Sequence, residues 1–161
     1  KRFMYEESFR TPLIIRHPQK IEAGTKSDAL VQNIDYAPTI LSFAGIEKPA
    51  EMEGTSLEPL FSGAKPANWR TSLYYHYYDY PAVHSVRRHD GVRTERYKLI
   101  HFYGKGEYAN DEDIDCNELY DLQNDPNELN NLYGKEGSEE IMSEMQALLD
   151  KYRKDLKVEE Y

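Results

Sequence analysis

The sequence is short of the features that usually decide a reading early. It has a single cysteine, Cys116, among 161 residues. No disulfide can close within the chain, and cysteine usage carries no information about compartment. Basic residues fall short of acidic ones, 20 against 29, giving a formal net charge of −9. That argues against a general nucleic-acid binder, which carries a basic face overall. No apolar run is long enough to span a bilayer, and no signal peptide opens the chain. The first residues, Lys1-Arg2-Phe3, read as the middle of a pattern, so the missing signal has no weight. There is no internal repeat, low-complexity tract, Walker loop, nucleophile elbow or paired-cysteine metal site. At this length the chain holds one domain, or one domain and a piece of another.

What the sequence does have is concentrated between Ser72 and Tyr103. Four of its five histidines lie there (His76, His84, His89, His101), with Tyr74, Tyr75, Tyr77, Tyr78 and Tyr80 in one short run. Basic residues flank that run at Arg87-Arg88, Arg93 and Arg96. The mixture is too aromatic for a solvated loop and too charged for a plain core strand. It predicts paired antiparallel strands: a tyrosine-rich one, a second over Ser85–Thr94 and a third over Tyr97–Tyr103, with a tight turn near Glu95-Arg96. One reading makes this a half-buried sheet whose tyrosines cover a helix. The other turns an edge of it toward an anion, since arginine forks and histidine suit sulfate, phosphate or carboxylate.

Upstream, Pro12-Leu13-Ile14-Ile15 is continuously apolar, the pattern of a strand covered on both faces. Little else nearby could pair with it, so residues 1–66 read as the tail of a larger α/β domain, with 67–161 as a second unit. A helix is expected from Asp35 to Gly45, with Asp35 as N-cap, Pro38 in the first turn and Gly45 as the stop. Glu47–Ala67 reads as an irregular connector. Asn110–Asp115 resembles a calcium loop only superficially. Cys116 stands where the turn glycine belongs and Leu122 where the bidentate glutamate belongs, so a solvated acidic loop is expected and no metal site. Glu118–Leu122 reads as a short strand. Asp125-Pro126-Asn127-Glu128 has the form of a capping box opening a helical turn. A final helix, Glu139–Leu156, capped by Ser138, carries Ile141, Met145, Leu148, Tyr152 and Leu156 as an apolar stripe. The fold class is therefore α+β: a small antiparallel sheet packed by a long C-terminal helix, preceded by a strand-helix remnant.

Several segments resemble the formylglycine-dependent, type I arylsulfatase-like sulfatases. Lys1 followed by Tyr5-Glu6-x-x-x-Arg10-x-Pro12 is similar to a run of that family that leads into a sheet strand. Ile34–Ile46 resembles the helix that follows it. Gly54-Thr55-Ser56-Leu57, Arg93–Ile100, and Glu118–Leu122 with Asp125-Pro126 and Asn131-Leu132 match the C-terminal region in order. The closest likeness is to bacterial enzymes acting on sulfated glycans, such as 6-O-sulfated amino sugars of glycosaminoglycan or mucin type. The resemblance implies a periplasmic or secreted parent in which formylglycine and calcium serve catalysis. No C/S-x-P-x-R motif occurs here, so neither cofactor is expected in this chain, which alone is expected to be inactive.

Lys1 matches the family's sulfate-contacting lysine and is the one catalytic residue expected. If Ser85–Thr94 is extended, His84 and Arg88 share a face with Val86. The small domain of the resembled enzymes abuts the active-site mouth, so His84 and Arg88 are the first candidates to hold a sugar, followed by His89 and His76. The alternative is that Arg88 pairs with a carboxylate and His84 caps a turn after Pro81. A different class of function also stays open, a free-standing glycan-binding or interaction module.

Overall fold

The structure is a computed structural model that describes residues 2–107 and 112–158. Its elements in chain order are α1 (Glu6–Phe9), α2 (Tyr36–Phe43), β1 (Ser72–Tyr77), β2 (His89–Thr94), β3 (Tyr97–Gly104), β4 (Ile114–Asp121) and α3 (Glu139–Asp155), with 3-10 turns at Asn33–Asp35 and Glu58–Leu60. The four strands form one antiparallel sheet in the order β1-β2-β3-β4. With its C-terminal helix this is an α+β fold. The chain divides into two compact units, Lys1–Pro12 with Ser72–Tyr161, and Leu13–Thr71. The opening residues belong to the same compact unit as the sheet.

The sheet unit is layered on both faces. Tight turns and alternation account for the strands: Thr94 Oγ1 accepts from the Tyr97 amide at 2.9 Å and closes the β2–β3 hairpin at Glu95-Arg96. On one face Val92, Leu99 and Leu119 bury against Met145 and Leu149 of α3. Tyr74 stacks on Tyr152 at 5.7 Å, so a strand tyrosine does cover the helix. The centre of the helix stripe is Met145 and Leu149, both fully buried; Leu148 is only partly buried and Leu156 is exposed. On the other face Ile100, Phe102 and Tyr120 meet Met4, with Tyr5 and Phe9 packed around it. Gly91 permits that approach: a Cβ there would lie 2.7 Å from the Met4 sulfur and 2.3 Å from the Leu99 carbonyl oxygen.

The Leu13–Thr71 unit has its own small core of Leu57, Leu60, Phe61 and Trp69, with the Trp69 indole donating to the Leu30 carbonyl at 2.9 Å. Asp35 does not cap α2 with its side chain. It is fully buried and accepts from the Gln32 and Thr55 amides and from both arms of Arg70. Burial would raise its pKa, but those donors hold it below the usual carboxylate range. The Pro12–Ile15 run forms no strand, and Ile14 is 91% exposed. α2 buries Pro38 and Thr39 while Ile40 faces outward.

Three local expectations fail. Ser138 Oγ donates to the carbonyls of Leu132 and Lys135 instead of capping α3. Asp125–Glu128 opens no helix; Glu128 takes a left-handed φ of 54° and sends its carboxylate to Lys98. β4 starts at Ile114, so part of the expected acidic loop is strand, while Asn110 and Asp111 lie outside the described residues.

The packing of α3 gives a direct check. Leu149→Ala should cost about 2–5 kcal/mol in urea denaturation followed by helical circular dichroism. Lys151→Ala, on the exposed side, should stay within about 0.5 kcal/mol. Equal stabilities would mean that Leu149 is not a core contact.

Candidate functional site

The site is built at the end of the sheet where β1 leaves at Tyr77 and β2 enters at His89, directly paired. Successive residues of β2 point to opposite faces, so His89, Gly91 and Arg93 face the opening segment while Asp90 and Val92 face α3. The opening segment is held by ions. The Lys98 ammonium, fully buried, donates to the Met4 carbonyl at 2.7 Å and reaches Glu128 and Glu6 at 2.8 Å each. Arg93 forks onto both oxygens of Glu6 at 3.1 and 3.2 Å, and the Glu6 amide donates to Glu128 at 2.6 Å. Burial works against the Glu6 carboxylate, yet the hydrogen bonds from Arg93 and Lys98 hold its pKa low.

His89 lies under this segment with no exposed surface. Its ring is surrounded by Phe3 (5.8 Å, stacked), Tyr77, Tyr75 and Phe102. Nδ1 donates to the Arg87 carbonyl at 2.8 Å, and Nε2 has no hydrogen-bond partner. Burial pushes the imidazole pKa down, against the pull of the Arg87 carbonyl, so it is neutral. His89, a candidate substrate contact, forms the aromatic floor beneath Phe3 and has no exposed surface in this structure.

The opposite face carries a cleft of about 1010 Å³, whose lining includes His76, Arg88, Asp90, His101, Tyr103 and Arg153. Asp90 is its electrostatic centre. Arg153 of α3 forks onto both its oxygens at 2.7 Å, and the Tyr74 hydroxyl donates to it at 3.0 Å. Burial alone would raise Asp90; the hydrogen bonds from His101 and Arg153 win and bring it down to about 2. His101 reaches Asp115 at 2.9 Å, and the neighbouring Asp90 carboxylate raises its pKa in spite of burial. His76 hydrogen-bonds the Tyr103 hydroxyl, and burial lowers its pKa.

Between Tyr77 and His89 runs a loop rather than the expected strand. Ser85 has a left-handed φ of 49° and Ala82 one of 38°, so His84, Val86 and Arg88 do not alternate on one face. Val86 turns inward, His84 stands exposed and Val83 beside it is 91% exposed. Arg88 pairs with Glu107 at 3.0 Å, the carboxylate partner that the alternative reading foresaw. Of the four sugar-binding candidates, His76 and Arg88 line the same cleft, His84 stands out on the loop and His89 is buried on the far side. Lys1 lies outside the described residues; its neighbours Arg2 and Phe3 are held at this end, with the Arg2 carbonyl accepting from the Tyr75 hydroxyl at 3.1 Å. Sequence reasoning missed Asp90, His101 and Arg153 as a unit. Their spacing of 11 and 52 residues leaves no local signal.

No group of three or more histidine, cysteine, aspartate or glutamate side chains among the described residues could hold a metal ion. Cys116 is exposed on β4 and followed by Asn117-Glu118-Leu119. These residues fit neither a calcium site nor the formylglycine motif. No helix among them is long and apolar enough to cross a membrane.

Comparison with known proteins supplies what the geometry leaves open. Residues 1–155 match the family described as N-sulphoglucosamine sulphohydrolase, C-terminal. The chain is 50% identical over 159 residues to an N-acetylglucosamine-6-O-sulfatase of Bacteroides thetaiotaomicron, covering 98% of this chain and 27% of that protein. It is 32% identical over 154 residues to a Δ4,5-hexuronate-2-O-sulfatase of the same bacterium, covering 92% of this chain and 29% of the other. A solved structure in complex with its substrate D-glucosamine-2-N,6-O-disulfate superposes with a TM-score of 0.87 at 50% identity, covering 97% of this chain and 30% of that one. The chain thus spans little more than a quarter of the length of these relatives.

The Asp90 cluster predicts an acid-sensitive step. A carboxylate whose folded pKa lies below its ordinary 3.8 contributes stability above that value and loses it as pH falls toward about 2. The contribution is about 2 kcal/mol. Urea midpoints of the wild type should therefore fall more steeply below pH ~4 than those of Asp90→Asn, in which the Asp90 charge is absent at every pH. Parallel profiles for the two proteins would refute the assignment.

Proposed function

The chain belongs to the C-terminal family of the N-sulphoglucosamine sulphohydrolases, and from that membership we propose that it is the C-terminal portion of an enzyme hydrolysing sulfate esters of glycans. The observation that carries this reading is the 50% identity over nearly the whole chain to a sulfatase of 6-O-sulfated N-acetylglucosamine. A sulfated amino sugar is accordingly the proposed substrate class, and the periplasm or the cell exterior the proposed location. The outward-facing Ile14 and Ile40 support the same reading, because such apolar surface suits burial against the rest of a larger protein. Formylglycine and calcium belong, in this reading, to that remainder, and no step is assigned to them here.

Two roles are proposed for this chain's own residues. Lys1 holds a sulfate oxygen with its ammonium, a compact charge suited to the charge that builds on the leaving sulfate. What supports this is the anchoring of Arg2, Phe3 and Met4 on the sheet by Tyr75, His89 and Lys98, since a catalytic cation needs a rigid mount. His84 contacts the sugar from the loop that ends at His89, the ring on which Phe3 stacks. Arg88 and His76 line the cleft on the other face of the sheet, and His89 serves from beneath. The presence of this C-terminal portion in sulfatases of both a glucosamine 6-O-sulfate and a hexuronate 2-O-sulfate fits a region that tunes which sugar is held.

The test is made in the full-length enzyme. Lys1→Ala should lower kcat on both a chromogenic aryl sulfate and a 6-O-sulfated amino sugar, on the order of 10²–10³-fold. His84→Ala should lower turnover of the sugar far more than that of the aryl sulfate. Absence of turnover of both substrates by the wild type would overturn the sulfatase reading, and equal losses in His84→Ala would overturn its sugar contact.

A further inference from the structure

The loop that carries His84 is short of ordinary backbone support. Its internal main-chain bonds are the Ser85 amide to the Pro81 carbonyl at 2.8 Å and the Tyr80 amide to the Tyr78 carbonyl at 3.0 Å. Two arginines supply what the backbone does not. The Arg88 guanidinium donates from Nε to the Tyr78 carbonyl at 3.2 Å, and from Nη2 to the Tyr80 carbonyl at 2.9 Å and the Glu107 carboxylate at 3.0 Å. Arg87 donates to the Glu112 carbonyl at 2.8 Å, and both guanidiniums lie against the Tyr80 ring, at 4.8 and 5.8 Å from its centre. The Arg88 carbonyl accepts from the Tyr103 amide at 3.0 Å, fixing the base of the side chain to β3. Gly104, at φ 111°, leaves the room: a Cβ there would stand 3.4 Å from Arg88 Nη1.

We propose that Arg88 is a positioning residue: it fixes the Tyr78–Arg87 loop to the connection after β3 and so presents His84, without touching substrate itself. The inference rests on the sulfatase reading for its functional consequence but not for its structural one. A guanidinium with three acceptors in fixed directions cannot be replaced by an ammonium, which offers charge but no planar fork. One side chain thereby spans both ends of the loop's first turn and a residue beyond β3. The exposed imidazole lies between this anchor and the one that Arg87 makes to the Glu112 carbonyl.

The test combines a structural and a kinetic reading in the full-length protein. In Arg88→Ala the Ser85 amide should exchange faster with solvent, while the amides of Val92 and Leu99 keep their protection. Arg88→Lys, which keeps a charge for Glu107, should show the same faster exchange and guards against a failure of the alanine variant to fold. On a sulfated amino sugar, Arg88→Ala should raise KM on the order of ten- to a hundredfold, as a displaced positioning group does. The double variant Arg88→Ala/His84→Ala should be no worse than His84→Ala alone, because one residue acts through the other. Additive losses in the double variant would mean that Arg88 meets the sugar directly and would overturn the proposal. Unchanged Ser85 exchange would overturn it as well. If the wild type hydrolysed no sulfate ester, the functional reading would fail while the exchange result still decided whether Arg88 holds the loop.

Discussion

The buried ammonium of Lys98 is the constraint on which the rest of the sheet unit depends. A lysine offers three N–H donors and no acceptor, and here all three directions are used: the Met4 carbonyl, Glu128 and Glu6. A charge taken out of water is tolerated only when paired and fully hydrogen-bonded. Lys98 therefore fixes where three distant segments must lie. Residues 4–6 come from the start of the chain, Lys98 from the middle of the sheet and Glu128 from the connection before α3. Glu128 accepts a left-handed backbone to reach it, a conformation that costs an ordinary residue on the order of 1 kcal/mol. Removing the Lys98 ammonium would leave the Glu128 carboxylate buried with only the Glu6 amide as donor among the described residues, at about 3–5 kcal/mol.

From that constraint the route to function is short. The segment pinned by Lys98 and Arg93 ends in Phe3, stacked on His89, and Lys1 precedes it by two residues. The loop between Tyr77 and His89 begins and ends around the same imidazole. One sheet end thus gathers the mount of the proposed sulfate-binding lysine and the loop of the proposed sugar-binding histidine. The Asp90–Arg153–His101 cluster does the corresponding work on the other face, tying α3 to β2 and β3 so that the sheet is rigid on both sides.

Much of this was legible in the sequence where the signal is local. The tyrosine-rich strand, the turn at Glu95-Arg96 and the C-terminal helix follow from alternation, turn chemistry and helical spacing. The family resemblance rested on five loose motifs in order, and the family match over residues 1–155 bears it out. What was not legible is non-local. Asp125–Glu128 has the letters of a capping box, but Lys98, 30 residues away, offers Glu128 a stronger partner than a backbone amide. Ser85–Thr94 reads as one strand because nothing in the letters announces that Ser85 turns left-handed. The grouping of residues 1–12 with the sheet is not legible because Glu6 answers to Arg93, 87 residues distant. Gly91 carried a signal that could have been used: a glycine inside a strand marks a close approach of another backbone.

The account turns on whether Lys98 holds the opening segment in place. The direct measurement is amide hydrogen exchange of Lys98→Met against the wild type. The Glu6, Ser8, Phe9 and Arg10 amides, which donate to Glu128, Tyr5 and Glu6, should lose protection while the amides of α3 around Met145 and Leu149 keep theirs. Unchanged protection in the opening segment, or equal loss there and in α3, would contradict it.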